Sequence, residues 1–137
     1  MLFSSRWLRA CGFSVCAIIT AHAAPSRNLT VDESRELVLA ALPESTTKLP
    51  EFNLDPFTVS YYPDFCFFEG QWNSTGDVSP VAGHYAVDSR TGDVWNGIIC
   101  REYKTPRLRV LQSIMRKRIG LTQQQYRKIR RLGPECE

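Results

Sequence analysis

Histidine is scarce in this sequence of 137 residues, in which only His22 and His84 are present. His22 falls in a segment that we expect to be removed on export, so His84 is the only histidine expected in the mature chain. A single histidine excludes a two-histidine metal site, and no cysteine spacing is that of a zinc site. We therefore expect no metal ion and no other cofactor.

Features of catalytic sites are also missing. The eight glycines are scattered, so no phosphate-binding loop is expected. Asp88 and Asp93 flank a turn, where acidic side chains usually bind backbone amides. A pair of Cys66 and His84 would need an activated thiolate, and a histidine in a strand is more typical of a partly buried sheet residue. We assign no catalytic residue and expect a protein that is not an enzyme.

Residues 1–24 have the pattern of a secretion signal. Arg6 and Arg9 give a positive start, an apolar run of about ten residues follows, and Ala21-His22-Ala23-Ala24 matches the cleavage rule. This run is shorter than the ~20 residues that span a bilayer, and no later apolar run reaches that length. We therefore expect an exported protein, periplasmic or secreted, in which residues 25–137 form a single domain.

Three of the five cysteines remain after the expected cleavage, namely Cys66, Cys100 and Cys136. Compartments outside the cytoplasm are oxidising, so one disulfide and one free thiol are expected. A Cys100–Cys136 bridge would join the start and the end of a helical hairpin. The alternative, Cys66–Cys100, would link two strands, and both pairings stay open.

The net charge of +3 conceals an uneven distribution. Residues 25–100 have 4 basic and 11 acidic side chains, whereas residues 101–132 have 11 basic side chains and a single acidic one, Glu102. Such a chain has a strong internal dipole. Either the basic part folds back onto the acidic part, or it faces an anionic partner.

Capping residues and apolar spacing predict an α+β fold. Thr30 and Glu33 have the capping-box spacing at the start of a helix over residues 29–42, and residues 44–56 have the composition of a surface connection. Strands are predicted over residues 57–62, 65–72, 81–88 and 93–100. The turn Ser89–Gly92 joins the last two strands as a hairpin.

Two basic helices are predicted after the strands. Thr105 caps the first, which has Pro106 at its first position, and Thr122 with Gln125 begins the second. We therefore predict an N-terminal helix packed on a curved antiparallel sheet of about four strands, followed by a C-terminal helical hairpin. Residues 25–100 would form the helix and sheet, and residues 101–137 the basic hairpin.

The segment Tyr85-Ala86-Val87-Asp88-Ser89-Arg90-Thr91-Gly92-Asp93-Val94 resembles the Val-Asp-x-x-Thr-Gly-x-Val hairpin of PepSY domains. Residues 29–100 also have that family's order of a helix followed by strands. The resemblance implies a small cystatin-type α+β unit, as found in peptidase propeptides and exported proteins and associated with inhibition or binding. The loop at 73–80 and the basic helices after Arg101 have no counterpart in the family, and no catalytic residue carries over.

These patterns favour a binding module that inhibits or neutralises another extracytoplasmic protein, such as a hydrolase. Aromatic residues dominate interface hot spots, and the expected contact surface combines aromatics with the turn and the last helix. Its residues are Tyr62, Trp72, Arg90, Thr91, Arg127, Arg130 and Arg131. The alternative is an envelope-associated protein that binds anionic lipid or polysaccharide through its basic hairpin. No nucleic-acid partner is expected, because an exported protein meets no genome, and the oligomeric state stays open.

Overall fold

A computed structural model describes residues 27–130 and 133–134. The helices are α1 (Val31–Ala41), α2 (Glu44–Thr47), α3 (Pro106–Arg118) and α4 (Gln123–Ile129). The strands are β1 (Asn53–Phe57), β2 (Phe65–Gln71), β3 (Val81–Asp88), β4 (Val94–Asn96) and β5 (Arg101–Glu102). The predicted signal segment, Arg131 and Cys136 lie outside the described residues. Within these residues no helix has the length and apolar character that crossing a membrane requires.

The five strands form one antiparallel sheet in the order β1-β2-β3-β4-β5. β2 pairs with β3 from Phe65 opposite Asp88 to Gly70 opposite Gly83, and a bulge follows at Gly70/Gln71. β1 and β5 are the two edges, and β5 contributes only two residues. The predicted α+β class is confirmed, with five strands where about four were expected.

The first strand lies earlier in the chain than predicted. A strand was expected over 57–62, but β1 ends at Phe57 and residues 58–64 form a loop. Pro56 argued against a strand because proline has no amide to donate to a ladder. It is tolerated because β1 is an edge strand, where Pro56 pairs only with Phe68 of β2.

The helices cover one face of the sheet, where most of the core lies. α1 and α3 pack against each other, and their apolar side chains join those of β2, β3 and β4 in one cluster. Its fully buried members include Leu37, Val38, Phe68, Val87, Val94 and Leu108. A smaller cluster around Phe65, Phe67 and Trp95 lies on the opposite face.

The predicted helix starts are confirmed by their hydrogen bonds. Thr30 Oγ1 accepts the Glu33 amide at 3.2 Å, and the Glu33 carboxylate accepts the Thr30 amide at 2.6 Å. Thr122 and Gln125 form the same reciprocal pair at α4. Thr105 caps α3 by accepting the amide of Leu108. These bonds are local, so the sequence is sufficient to predict them.

We expect Gly92→Ala to destabilise the fold by about 2 kcal/mol, because it combines backbone strain with a close contact. Gly92 has φ +74, and a Cβ there would lie 3.2 Å from Leu37 Cδ1 and 3.4 Å from Leu29 Cδ1. Gly76→Ala is the matched control, since φ is +71 but nothing lies within 4 Å, and about 1 kcal/mol is expected. Urea denaturation measures both, and equal losses would show that the contact with Leu37 does not matter.

Candidate functional site

Two predicted binding residues lie in the β3–β4 turn and bond within the chain. Arg90 donates to the two Asp88 carboxylate oxygens at 3.1 and 2.8 Å and lies 3.3 Å from Asp64. The hydrogen bonds to Asp88 raise the pKa of Arg90. Thr91 is fully buried and donates to Asp93. These contacts hold the turn together, so both side chains are engaged within the chain.

The two predicted binding aromatics lie at opposite ends of β2. Tyr62 packs on Phe65 and Phe67 with ring centroids 6.3 and 6.1 Å apart. Trp72 donates its indole N–H to the Ser79 carbonyl at 3.0 Å. At about 3.3 Å per residue, β2 separates the two aromatics by roughly 20 Å. The structure therefore does not bring them together in one surface.

The basic helices fold back onto the acidic part of the chain through a buried network. Arg116 donates to Asp93 at 2.8 Å and to the Thr91 carbonyl at 2.6 Å, and its guanidinium lies 4.1 Å from the ring centroid of Tyr126. Tyr126 also donates to Asp93. Burial raises the pKa of Asp93 even though Arg116 acts in the opposite direction. A second connection is the ion pair of Arg118 and Glu33.

Part of the basic charge stays uncompensated. Arg130 binds Glu102 at 3.0 Å, whereas Arg127 is exposed. In the part of the chain that the structure describes, six basic side chains after residue 100 lack a carboxylate partner. They are Arg101, Arg107, Arg109, Lys117, Arg127 and Lys128.

Two of these arginines line a cleft of about 1310 Å³ between the end of α1 and the β5 edge. We call it the β5 cleft, and its lining residues are 40–44, Asn96 and 99–107. Its acidic side chains are already paired. Glu44 binds Lys48 at 2.6 Å, and Glu102 binds both Arg130 and Lys104 at 3.0 Å. The cleft therefore presents a surplus of positive charge.

The loop at the rim of this cleft places two isoleucines on the surface. We call residues 97–100 the isoleucine loop, in which Ile98 is 62% and Ile99 65% exposed. The Asn96 side-chain oxygen accepts both of their amides, at 3.0 and 3.1 Å. The Gly97 amide donates to the His84 carbonyl at 2.8 Å. The loop is therefore braced, so little conformational freedom remains to be lost on binding.

The isoleucine loop ends at Cys100, whose Sγ lies 3.4 Å from the Pro134 carbonyl oxygen. Cys100 is disulfide-bonded, whereas Cys66 has a free thiol. The structure therefore lacks the Cys66–Cys100 bridge that was one of the two expected pairings. Cys136 lies outside the described residues, so the Cys100–Cys136 pairing stays a prediction.

Sequence reasoning missed the isoleucine loop, because the β-branched residues at 98–99 favour a strand and residues 93–100 were predicted as one. β4 in fact ends at Asn96. The available signal was the dipeptide Asn96-Gly97, which is typical of turns.

The two residues considered for a nucleophile pair lie on opposite faces of the sheet. Cys66 packs against the helix-covered core, while His84 lies beside Phe57, with ring centroids 6.1 Å apart. His84 Nε2 is 2.9 Å from a Glu69 carboxylate oxygen. Hydrogen bonds from Gln71 and His84 lower the pKa of Glu69. Among the described residues no three His, Cys, Asp or Glu side chains form a group that could hold a metal ion.

No family model and no curated protein matches this chain. A similar solved structure is a type VI secretion system effector–immunity complex from Pseudomonas protegens. The matching chain is 20% identical with a TM-score of 0.60, and the match covers 74% of this chain and 85% of that chain. At this identity the likeness concerns the fold.

Proposed function

We propose that this chain is a non-enzymatic binding module that neutralises another exported protein. The observation that carries the proposal is the isoleucine loop held by hydrogen bonds, which exposes Ile98 and Ile99 and places Ile99 at the β5 cleft. The likeness to a chain of an effector–immunity complex supports a role in binding another protein. Export rests on the predicted secretion signal in residues 1–24.

The two isoleucines would supply part of the binding free energy of such a complex. Full burial of an isoleucine side chain stabilises by about 1.5–3 kcal/mol. Since Ile98 and Ile99 are roughly two-thirds exposed, their burial in a partner would contribute about 1–2 kcal/mol each. The rest would come from other contacts, since a few side chains usually dominate the binding free energy of an interface and the surrounding contacts mainly exclude water.

A photo-crosslinking experiment tests this proposal. A photoreactive phenylalanine analogue at Ile99 is expected to attach one protein to the chain in its own host. The same analogue at Tyr61, which is 89% exposed in the loop between β1 and β2, is the matched control and should attach none. Equal products at both positions, or lipid or polysaccharide alone, would contradict the proposal.

The affinity for the crosslinked protein is expected to depend on the two isoleucines. The double variant Ile98→Ser, Ile99→Ser should weaken binding by about 30-fold or more, which corresponds to about 2 kcal/mol. The thermal midpoint should change little, because both side chains are exposed. Isothermal titration calorimetry measures the affinity, and an unchanged value would show that this loop is not the contact surface.

A second candidate function is association with anionic lipid or polysaccharide of the envelope. The six basic side chains without a carboxylate partner favour it. Binding of this kind should weaken steeply between low and physiological ionic strength, whereas a complex anchored by isoleucines should persist.

A further inference from the structure

We propose that the partner inserts an acidic segment of its polypeptide chain into the β5 cleft, where Arg101 and Arg107 bind its carboxylates. This inference rests on the proposed function and specifies the chemistry of the partner. It joins two features that lie side by side, since Ile99 and the two arginines line the same cleft.

Charge complementarity is the main argument for an acidic occupant. Glu44 and Glu102 at the cleft are each paired with a cation, so an incoming carboxylate meets little repulsion. Arg101 and Arg107 have no carboxylate partner within the described residues. Arg107 stands in the first turn of α3, where no acidic side chain is present, so the helix dipole adds to the positive potential.

The lining of the site favours a polypeptide over a membrane surface. The β5 cleft is a wide groove in which Ile99 lies among the lining residues together with Arg101 and Arg107. The isoleucine loop exposes only two large apolar side chains, which is little for insertion into a bilayer. A partner with an acidic segment beside an apolar pocket would bind the arginines through its carboxylates and bury the isoleucines in its pocket.

The two arginines can be replaced without disturbing the fold. Both side chains are exposed, and the pairing of Arg101 with Asn96 in the sheet involves the backbone. The double variant Arg101→Gln, Arg107→Gln therefore tests binding directly. Arg109→Gln, Lys117→Gln removes the same charge from a separate groove between α3 and α4 and is the matched control.

The probes are a fluorescent peptide rich in glutamate with one central leucine, the same peptide with glutamine at every glutamate, and vesicles of phosphatidylglycerol and phosphatidylcholine. We expect the chain to bind the glutamate peptide at least about tenfold more tightly than the glutamine peptide. The Arg101→Gln, Arg107→Gln variant should lose about tenfold or more of that affinity. The Arg109→Gln, Lys117→Gln control should lose less than about twofold, because its charges lie outside the cleft.

Three results would overturn the inference. They are equal binding of the two peptides, equal losses in the two double variants, and arginine-dependent binding of the vesicles without binding of the peptide.

These failures are separate from failure of the proposed function. If crosslinking at Ile99 succeeds while any of them occurs, the binding module stands and its partner is not acidic. If the peptide binds through Arg101 and Arg107 but crosslinking at Ile99 attaches no protein, the β5 cleft recognises acidic peptides while the proposed neutralising role fails.

Discussion

Replacement of Arg116 by methionine is expected to lower the free energy of unfolding by about 3 kcal/mol at pH 7. Arg116 bonds to Asp93, which is 3% exposed, and the Tyr126 ring packs against its guanidinium. Without the guanidinium, Asp93 must either stay charged without its cation or take up a proton. A buried carboxylate without its cation is penalised by the loss of water. Protonation also costs free energy at pH 7, because protons are scarce at that pH.

The loss should depend on pH in a defined direction. Burial raises the pKa of Asp93 above its ordinary value of 3.8, so the folded chain holds this proton more tightly than the unfolded chain. Stability from this group is therefore fully present below about pH 3.8 and lost as the pH rises through the folded pKa. Removing Arg116 raises that pKa further, so the variant should lose more stability at pH 7 than near pH 4.

Urea denaturation of the wild type and of Arg116→Met at both pH values measures this effect. The control is the double variant Arg116→Met, Asp93→Asn, which removes both charges together. It should recover about 1–2 kcal/mol relative to Arg116→Met at pH 7, because no unpaired buried charge remains. A loss for Arg116→Met that is the same at both pH values would contradict the assignment of a buried ion pair.

Phe68→Ala is expected to be the most destabilising change in the core, at about 3–5 kcal/mol. Phe68 lies in the middle of β2 on the face that the helices cover and has no exposed surface. The variant would leave a cavity that the paired strands on both sides of β2 restrain from collapsing.

Phe57→Ala provides the matched control for this prediction. Phe57 is on the neighbouring strand β1 but 42% exposed on the opposite face, so a loss of about 1 kcal/mol or less is expected. Denaturant midpoints at an unchanged slope give both values. Similar losses for the two phenylalanines would mean that the outer face of the sheet contributes to the free energy of unfolding as strongly as the helix-covered face.

Local chemistry explains which parts of this fold the sequence predicts. The capping pairs at Thr30 and Thr122 and the glycine at position 92 depend on hydrogen bonds or backbone angles within a few residues. Such features are readable without a tertiary structure. The β3–β4 hairpin was predicted for the same reason, although β4 is shorter than expected.

The remaining features depend on contacts distant in sequence. β1 can contain Pro56 only because it is an edge strand. No local pattern in the sequence shows which strand lies at the edge of a sheet, so the position of β1 could not be predicted. The charge surplus at the β5 cleft required knowing which carboxylates pair with which cations, such as Glu102 with Arg130 across 28 residues. The composition predicted a basic half but not the location of its unpaired charges.

The contact between Pro134 and Cys100 has a practical consequence for interaction studies. Because the Pro134 carbonyl lies 3.4 Å from Cys100 Sγ, Pro134 lies beside the end of the isoleucine loop, and a reporter attached at Pro134 would stand next to the proposed contact surface. The loop around Tyr61 precedes β2 near the closed end of the β3–β4 hairpin, whereas the isoleucine loop follows β4 at the open end of that hairpin. Fluorophores and surface tethers for measuring association therefore belong at the loop around Tyr61.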